Sequence, residues 1–311
     1  MSKTAFIFPG QGAQYIGMGK ELFQNIEVCK NIFDIADKEL NFELSKLCFE
    51  GTESELNITE NTQPAILTTS IAALMALREH GIKCDVTAGL SLGEYSALVC
   101  SGSMDFRDAV KLVKKRGRFM QEAVPVGIGT MAAILGLDAN LVYEACTEAR
   151  TSGIVEIANL NCPGQIVIAG EIAAVEHALE LAKEKGAKRV MLLSVSAPFH
   201  TSMLRPAAEE LETELKKINI KDFTIPLMTN VNGDYVKSKE DIKDNLKLQV
   251  MSSVLWETII RNMIKDGVDT FVEIGPGKVL SGFVKKIDRK LTVINVEDMV
   301  SLDKAVAMLK K

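Results

Sequence analysis

The sequence has 311 residues, of which 47% are apolar and 25% are charged, the ordinary composition of a globular protein with a buried core. Its formal net charge of −5 gives no overall attraction to nucleic acid or to an acidic membrane, so any basic site must be local. No apolar run reaches the roughly 18 to 20 residues of a membrane-spanning helix, and Pro9 and Gly10 interrupt the N-terminal run, so neither a span nor a signal peptide is expected.

The six cysteines are scattered along the chain, and no two of them form a C-x-x-C pair. Neither a zinc site nor a redox motif is therefore predicted, because both place cysteines at short, regular spacings. Buried thiols behave as small apolar groups, and unpaired cysteines fit a reducing compartment better than an oxidising one. We expect a cytoplasmic protein without a metal site. The positions are Cys29, Cys48, Cys84, Cys100, Cys146 and Cys162.

The first 125 residues alternate between apolar strands and helices. Such alternation predicts a parallel sheet that is covered by helices on both faces. The predicted elements are a strand over 3–8, a helix over 63–80, a strand over 84–90, a helix that begins at Gly93 and a helix over 105–122.

The order of elements changes in the next 70 residues or so. A β-α-β-β-α-β order is typical of a small ferredoxin-like unit. The predicted strands cover 130–136, 154–159, 164–169 and 188–195, and the predicted helices between them cover 138–150 and 171–185.

Alternating elements resume after about residue 198. The predicted helices cover 204–217, 240–250, 254–266 and 278–287, and the predicted strands cover 225–229, 269–274 and 291–296. We therefore predict an α/β fold with two parts. A large α/β-hydrolase-like domain with a parallel sheet is formed by residues 1–125 and 198–311, and a small ferredoxin-like α+β subdomain is inserted at residues 126–197.

Ser91 lies in the pattern G-x-S-x-G, between the predicted strand over 84–90 and the helix that begins at Gly93. On a tight strand-to-helix turn a serine hydroxyl projects from the sheet, and the flanking glycines let the turn close against neighbouring backbone. Free backbone N–H groups at the start of the helix, notably that of Leu92, can hold negative charge on a reacting carbonyl oxygen. This context favours a nucleophile, and the alternative is a serine that caps the helix.

A serine nucleophile needs a base, and the sequence offers three histidines. His80 lies at the end of a predicted helix, and His177 lies inside a predicted amphipathic helix. His200 lies in the irregular stretch 196–202, where neighbouring residues can orient a side chain. By elimination His200 is the candidate base, although this stretch would also serve as a helix N-cap region. No acidic partner stands out, so a backbone carbonyl is the expected group that orients the imidazole.

Two further segments carry candidate binding groups. The glycine-rich turn at Gly10 to Gly12 does not complete a dinucleotide-binding motif, because Tyr15 stands where the third glycine belongs. The turn can present backbone N–H groups to an anion, and the alternative is a tight turn without a ligand. The run over 111–118 is rich in cations, which usually marks a solvated helix face. Arg116, followed by a glycine, is the candidate for an inward-pointing guanidinium that grips a carboxylate with two hydrogen bonds.

Taken together, these segments resemble the malonyl-CoA:acyl carrier protein transacylases, the acyltransferases of fatty-acid synthesis. The resemblance runs in order from residue 5 to about residue 287. It is carried by the motifs FPGQGAQ at 8–14, GLSLGEY at 89–95, RG at 116–117 with FMQ at 119–121, NLNCPGQIVIAG at 159–170, FH at 199–200, TNVNG at 229–233 and EIGPG at 273–277.

The resemblance implies a role for each matching position. It makes Ser91 the nucleophile and His200 the base, with the main-chain carbonyl of Gln249 orienting the imidazole. It assigns the oxyanion hole to the backbone N–H groups of Gln11 and Leu92.

For the substrate, the resemblance implies that Arg116 holds a carboxylate. Leu90 departs from the family, which often has histidine there, so a polar neighbour of the nucleophile is missing. Phe199 is the aromatic type that related modules pair with malonyl rather than branched extender units.

The implied activity is malonyl transfer to the phosphopantetheine thiol of an acyl carrier protein, with no tightly bound cofactor. The other cations near Arg116 would meet coenzyme A phosphates or the acidic carrier. No nucleic acid or membrane partner is expected, and a monomer is the expected state. Two alternatives remain: a thioesterase that passes the acyl group to water, and a non-catalytic scaffold that binds the carrier.

Overall fold

The computed structural model describes residues 2–193, 195 and 197–310. Within these residues the strands are β1 Lys3–Phe8, β2 Val86–Gly89, β3 Gly129–Leu135, β4 Val155–Cys162, β5 Gln165–Glu171, β6 Arg189–Leu192, β7 Val268–Ile274 and β8 Thr292–Val296.

The α-helices of the same residues fall into three groups. Before the second sheet come α1 Lys20–Asn25, α2 Glu27–Leu40, α3 Leu44–Glu50, α4 Glu53–Leu56, α5 Thr59–Glu79, α6 Gly93–Cys100 and α7 Phe106–Glu122. Between the strands of that sheet along the chain come α8 Ala139–Ala149 and α9 Ile172–Glu184. After it come α10 Arg205–Leu215, α11 Glu240–Val250, α12 Trp256–Lys265, α13 Val279–Ile287 and α14 Met299–Leu309.

One sheet is parallel throughout, with the strand order β2-β1-β7-β8. Residues 5–8 of β1 are all buried, because helices cover both faces of a parallel sheet and its strands read as continuous apolar runs. In the register of β1 and β2, Phe8 lies opposite Gly89. The turns after these two strands, which carry Gln11 and Ser91, therefore meet at one edge of the sheet.

The second sheet is antiparallel, with the order β4-β5-β3-β6, and α8 and α9 pack against it. This order, with the chain sequence β-α-β-β-α-β, is that of a ferredoxin-like unit. The predicted fold class, a parallel α/β sheet plus a small α+β unit, is confirmed. The domain boundaries near residues 125 and 198 stay predictions.

Several predicted elements differ from the structure. Residues 225–229 do not form a regular strand: Leu227 makes one isolated parallel bridge with Thr87, and Met228 pairs instead with Tyr235. Pro226, which lacks an N–H, offers only its carbonyl to Thr87. The predicted strand over 188–195 is shorter in the structure, and Ser194 in it and Ser196 after it lie outside the described residues.

Some of the helices were not predicted from the sequence, and the start of another was placed too late in the chain. Helix α5 begins at Thr59 rather than at the predicted residue 63. Pro64 is the sixth residue of the helix, where it removes one backbone hydrogen bond without ending the helix. Helices α1 to α4 and α14 were not predicted. No helix in the described part of the chain combines the length and apolar character needed to cross a membrane.

Candidate active site

Ser91 occupies the turn that joins β2 to α6, and its φ of 51° is in the left-handed region. Such a conformation is strained for a residue with a side chain and is concentrated at functional sites. The two glycines of the motif are required by close packing. A Cβ built on Gly89 would overlap the backbone of Gly93, and one built on Gly93 would overlap the carbonyl oxygen of Phe8.

Asn230, in the loop before α11, fixes the backbone of this turn. Its Oδ1 accepts the N–H of Ser91 at 2.6 Å, and its Nδ2 donates to the carbonyl of Gly89 at 2.7 Å. Asn230 is fully buried. The strained turn is therefore held from a segment about 140 residues away in sequence.

His200 is the imidazole that reaches the Ser91 hydroxyl, with 2.8 Å between Nε2 and Oγ. Its Nδ1 lies 2.8 Å from the carbonyl oxygen of Gln249. Because a carbonyl only accepts, the proton lies on Nδ1, and Nε2 is free to accept from the serine. Burial, together with the positive charge of Arg116, lowers the pKa of His200 to about 4. The imidazole is thus neutral near pH 7, the form that a base requires.

Arg116 lies on the inward face of α7 and is 1% exposed. Its Nη1 donates to Gln63 Oε1 at 2.8 Å, and its Nη2 donates to Gln249 Oε1 at 2.9 Å and to Ser91 Oγ at 3.1 Å. Across the described residues, no Asp or Glu carboxylate forms an ion pair with this guanidinium. The site therefore contains a buried positive charge beside the nucleophile.

Gly117 allows Arg116 to reach its buried position beside Ser91, because it lets α7 pack closely against α5. A Cβ built on Gly117 would lie 2.5 Å from the carbonyl oxygen of Thr59, so only glycine allows α7 to approach α5 this closely. Burial lowers the pKa of Arg116, but a guanidinium keeps its charge in proteins because its pKa lies so high.

Two backbone N–H groups near Ser91 are available to an anion. Within the ranges that the structure describes, neither the N–H of Gln11 nor that of Leu92 donates to a protein acceptor. The turn that carries Gln11 lies against the elbow: a Cβ built on Gly10 would be 2.5 Å from the carbonyl oxygen of Leu90. Two free donors at one edge of a sheet form an arrangement that suits a developing oxyanion.

Glu94 and Gln249 form a buried network under these groups. Gln249 Nε2 donates to Glu94 Oε2 at 2.7 Å and to the carbonyl of Ser91 at 3.0 Å. The backbone N–H of Asn230 donates to the same Glu94 oxygen at 3.1 Å. Burial raises the pKa of the Glu94 carboxyl to about 7, although its bonds from Gln249 and Asn230 act in the opposite direction.

A cavity of about 690 Å³ opens over the nucleophile. Its walls come from both sheets. The parallel-sheet part contributes the turn after β1, the Ser91 turn with Leu90, and the start of α13, and the loop after β6 contributes Phe199. The antiparallel sheet and the loop that follows it contribute Met131, Asn159, Asn161, Val167, Leu193 and Val195. The cavity is large enough for an acyl thioester and its arm.

The predicted site residues meet at this cavity. Ser91, His200, Arg116, Gln11, Leu92, Leu90 and Phe199 line it, and Gln249 lies beneath it. Of the other histidines, His177 bonds Ser152 on the second sheet's helix layer. Lys111 and Lys115, predicted to meet acidic or phosphate groups, pair with Glu39 and Glu214 on the protein surface.

Three residues of the site were missed in the sequence. Gln63, on the buried face of α5, carried no recognisable signal. Asn230 and Glu94 lie within the motifs at 229–233 and 89–95, but the sequence assigned no role to either of them.

Comparison with known proteins gives consistent matches. The acyl transferase domain family matches residues 5–304. A malonyl CoA-acyl carrier protein transacylase of Bacillus subtilis (strain 168) is 53% identical over 312 residues, with 100% of this chain and 98% of that protein covered.

Among solved structures, the malonyl CoA-acyl carrier protein transacylase of Clostridium perfringens has a TM-score of 0.96 at 53% identity, with 99% and 98% of the two chains covered. A malonyl-transacylase in complex with a type II PKS acyl-carrier protein has a TM-score of 0.96 at 42% identity, with 99% of this chain and 100% of that chain covered.

Proposed function

Because the chain belongs to the acyl transferase family, we propose that it transfers a malonyl group from malonyl-CoA to the phosphopantetheine thiol of an acyl carrier protein. The reaction passes through a malonyl-serine intermediate and supplies the extender unit of fatty acid synthesis. The observation that carries the malonyl assignment is the buried guanidinium of Arg116, 3.1 Å from the nucleophile and without a carboxylate partner in the described residues.

The first half of the reaction acylates Ser91. His200 Nε2 takes the hydroxyl proton across 2.8 Å while Oγ attacks the thioester carbonyl. The tetrahedral oxyanion accepts from the backbone N–H groups of Gln11 and Leu92. The imidazolium then protonates the departing thiolate of coenzyme A. A positioned base typically supplies about 10² to 10⁴ in rate, and one oxyanion donor about 10² to 10³.

The second half reverses these roles. The phosphopantetheine thiol of the carrier gives its proton to His200 and attacks the malonyl ester, and Ser91 leaves as the hydroxyl. Water competes with this thiol only if it reaches the ester. Because both half-reactions use one serine, ping-pong kinetics follow. No tightly bound cofactor takes part, since the coenzyme A thioester is a substrate and the phosphopantetheine belongs to the partner.

Arg116 provides the selectivity for a donor with a free carboxylate. A buried guanidinium gains much from a carboxylate with which it can form two hydrogen bonds. An acetyl group offers no such partner. Leu90 and Phe199 line the same cavity and shape the space beside the acyl group.

The carrier protein is an acidic partner, and α13, which carries Lys285 and Lys286 in its last turn, is one of the helices that line the cavity. Val279, Leu280 and Phe283 of this helix line the cavity, and Lys278 and Lys286 flank them in sequence. Lys286 also donates to Gln165 on the second sheet. A local basic surface at the cavity mouth would steer the acidic carrier despite the net charge of −5.

The compartment and the oligomeric state follow from other features. All six cysteines are free thiols, which fits the reducing cytoplasm. One chain contains every site residue, which fits a monomer.

The decisive experiment exposes the protein to radiolabelled malonyl-CoA, with and without holo carrier protein. We expect one malonyl group per chain by intact mass, located at Ser91, and discharge only when the carrier thiol is present. Rapid release of free malonate would favour a thioesterase. A chain that takes up no malonyl group would favour a non-catalytic scaffold.

A further inference from the structure

Glu94 contacts both Asn230 and Gln249, the two residues whose side chains bond the backbone of Ser91. It lies in the first turn of α6, three residues after the nucleophile, and is 2% exposed. A single oxygen, Oε2, accepts the Gln249 side-chain amide at 2.7 Å and the Asn230 backbone N–H at 3.1 Å.

Gln249 and Asn230 are also hydrogen-bonded to the backbone of Ser91. Gln249 Nε2 also donates to the Ser91 carbonyl at 3.0 Å, and Asn230 Oδ1 accepts the Ser91 N–H at 2.6 Å. The two backbone polar groups of the nucleophile are therefore each bonded to a residue that Glu94 holds.

Glu94 and the carbonyl of Ser91 together set which way the Gln249 amide points, because both accept from its Nε2. Glu94 Oε2 accepts the Asn230 N–H and is therefore an acceptor in this structure, which places the NH₂ of Gln249 toward Glu94. The Gln249 Oε1 then faces Arg116, which donates to it at 2.9 Å. The reversed amide would place its NH₂ against the guanidinium, two donors together. The orientation of Gln249 thus controls an acceptor of the substrate-binding arginine.

We propose that Glu94 is a positioning residue for acyl transfer, which fixes the amide of Gln249 and the backbone of Asn230 and so aligns Ser91 and Arg116. The inference rests on the proposed function for its substrate. Positioning Gln249 and Asn230 requires an acceptor oxygen at residue 94 rather than a negative charge. Glutamine at this position keeps such an oxygen, whereas alanine does not.

The test compares Glu94→Ala and Glu94→Gln with the wild type by the labelling rate of Ser91 with a fluorophosphonate, which needs no acyl-CoA. Rates are expressed per folded molecule, and Ser91→Ala gives the background. Asp37→Ala is the matched control, because Asp37 also accepts two hydrogen bonds, both from Ser45, on α2 away from the cavity. A lost buried hydrogen bond to a charged group corresponds to about 10- to 100-fold.

We expect E94A to label about 10- to 100-fold more slowly, E94Q to stay within a few-fold of the wild type, and D37A to label normally. E94A should also lose more malonyl than acetyl transfer, because Arg116 loses its oriented acceptor. An E94A rate equal to the wild type, or an E94Q rate as low as that of E94A, overturns the proposal. Wild-type protein that labels with the probe but takes up no malonyl group contradicts the proposed function alone, since the labelling comparison still decides the role of Glu94.

Discussion

Replacing Arg116 with alanine should separate malonyl transfer from acetyl transfer. In the malonyl complex the change leaves a carboxylate in a buried site without its cation. Removing one partner of a buried charge pair costs about 3–5 kcal/mol, which is about 10²- to 10⁴-fold in rate at about 1.36 kcal/mol per factor of ten. Both reactions lose the hydrogen bonds from Arg116 to Ser91 Oγ, Gln63 and Gln249. The acetyl reaction has no carboxylate to lose, so it should fall only by the smaller factor of about 10- to 100-fold that corresponds to a lost hydrogen bond to a charged group, about 1.5–3 kcal/mol.

The assay measures kcat/KM for malonyl-CoA and for acetyl-CoA with the same carrier protein. Arg116→Lys keeps the charge without the two-pronged donor geometry and should recover part of the malonyl activity. Lys111→Ala, on the outer face of α7, is the control for the helix and should leave the ratio of the two donors unchanged. Circular dichroism confirms folding, since R116A also leaves Gln63 Oε1 and Gln249 Oε1 without their donor. Equal losses for both donors would refute the carboxylate role.

Three further outcomes are expected. Since the pKa of His200 is lowered to about 4, the neutral base persists on acidification. The acid limb of kcat/KM should centre near pH 4, and a limb near the ordinary histidine value of about 6.5 would contradict the buried neutral imidazole. Gly93→Ala forces a Cβ into the Phe8 carbonyl and should cost about 1–3 kcal/mol or more in urea unfolding. Gly282→Ala, where a Cβ meets nothing within 4 Å, is its control, and equal stability of the two variants would argue against the close packing. Asn230→Ala leaves the Ser91 N–H and the Gly89 carbonyl unpaired and should lower both the acylation rate and the free energy of unfolding, the latter by about 1–3 kcal/mol. Stopped-flow acylation and denaturant titration measure the two, and an unchanged acylation rate would show that the turn holds its shape alone.

The nucleophile region was predictable because its causes are local. A strand, a tight turn with two glycines and a helix follow one another within 15 residues, from Val86 to Cys100. The meeting of Gln11 with Ser91 depends on the pairing of β1 with β2, and the sequence indicated it only through the family resemblance. The ferredoxin-like unit was predictable from the order of its elements.

The supporting network was not predictable in this way. Gln249 and Asn230 come from segments about 140 to 160 residues beyond Ser91, and their roles depend on tertiary contacts that no spacing encodes. The irregular segment around Leu227 failed for a related reason. Its apolar residues are buried by packing, while its backbone makes only isolated bridges. Three of the four helices over residues 20–56 have seven residues or fewer, too few for a clear helical periodicity, and α2, with 14 residues, was also missed.

The walls of the cavity come from both sheets, so the reacting groups and the apolar groups that shape the acyl site lie on different walls. Ser91 follows a strand of the parallel sheet and Arg116 lies on α7, whereas Met131 and Val167 lie on strands of the antiparallel sheet. We expect a change in the size of these apolar side chains to alter the room for the acyl chain, because they line the same cavity as Ser91. Substitutions on that wall are therefore the expected route to a different accepted acyl group with Ser91, His200 and Arg116 kept.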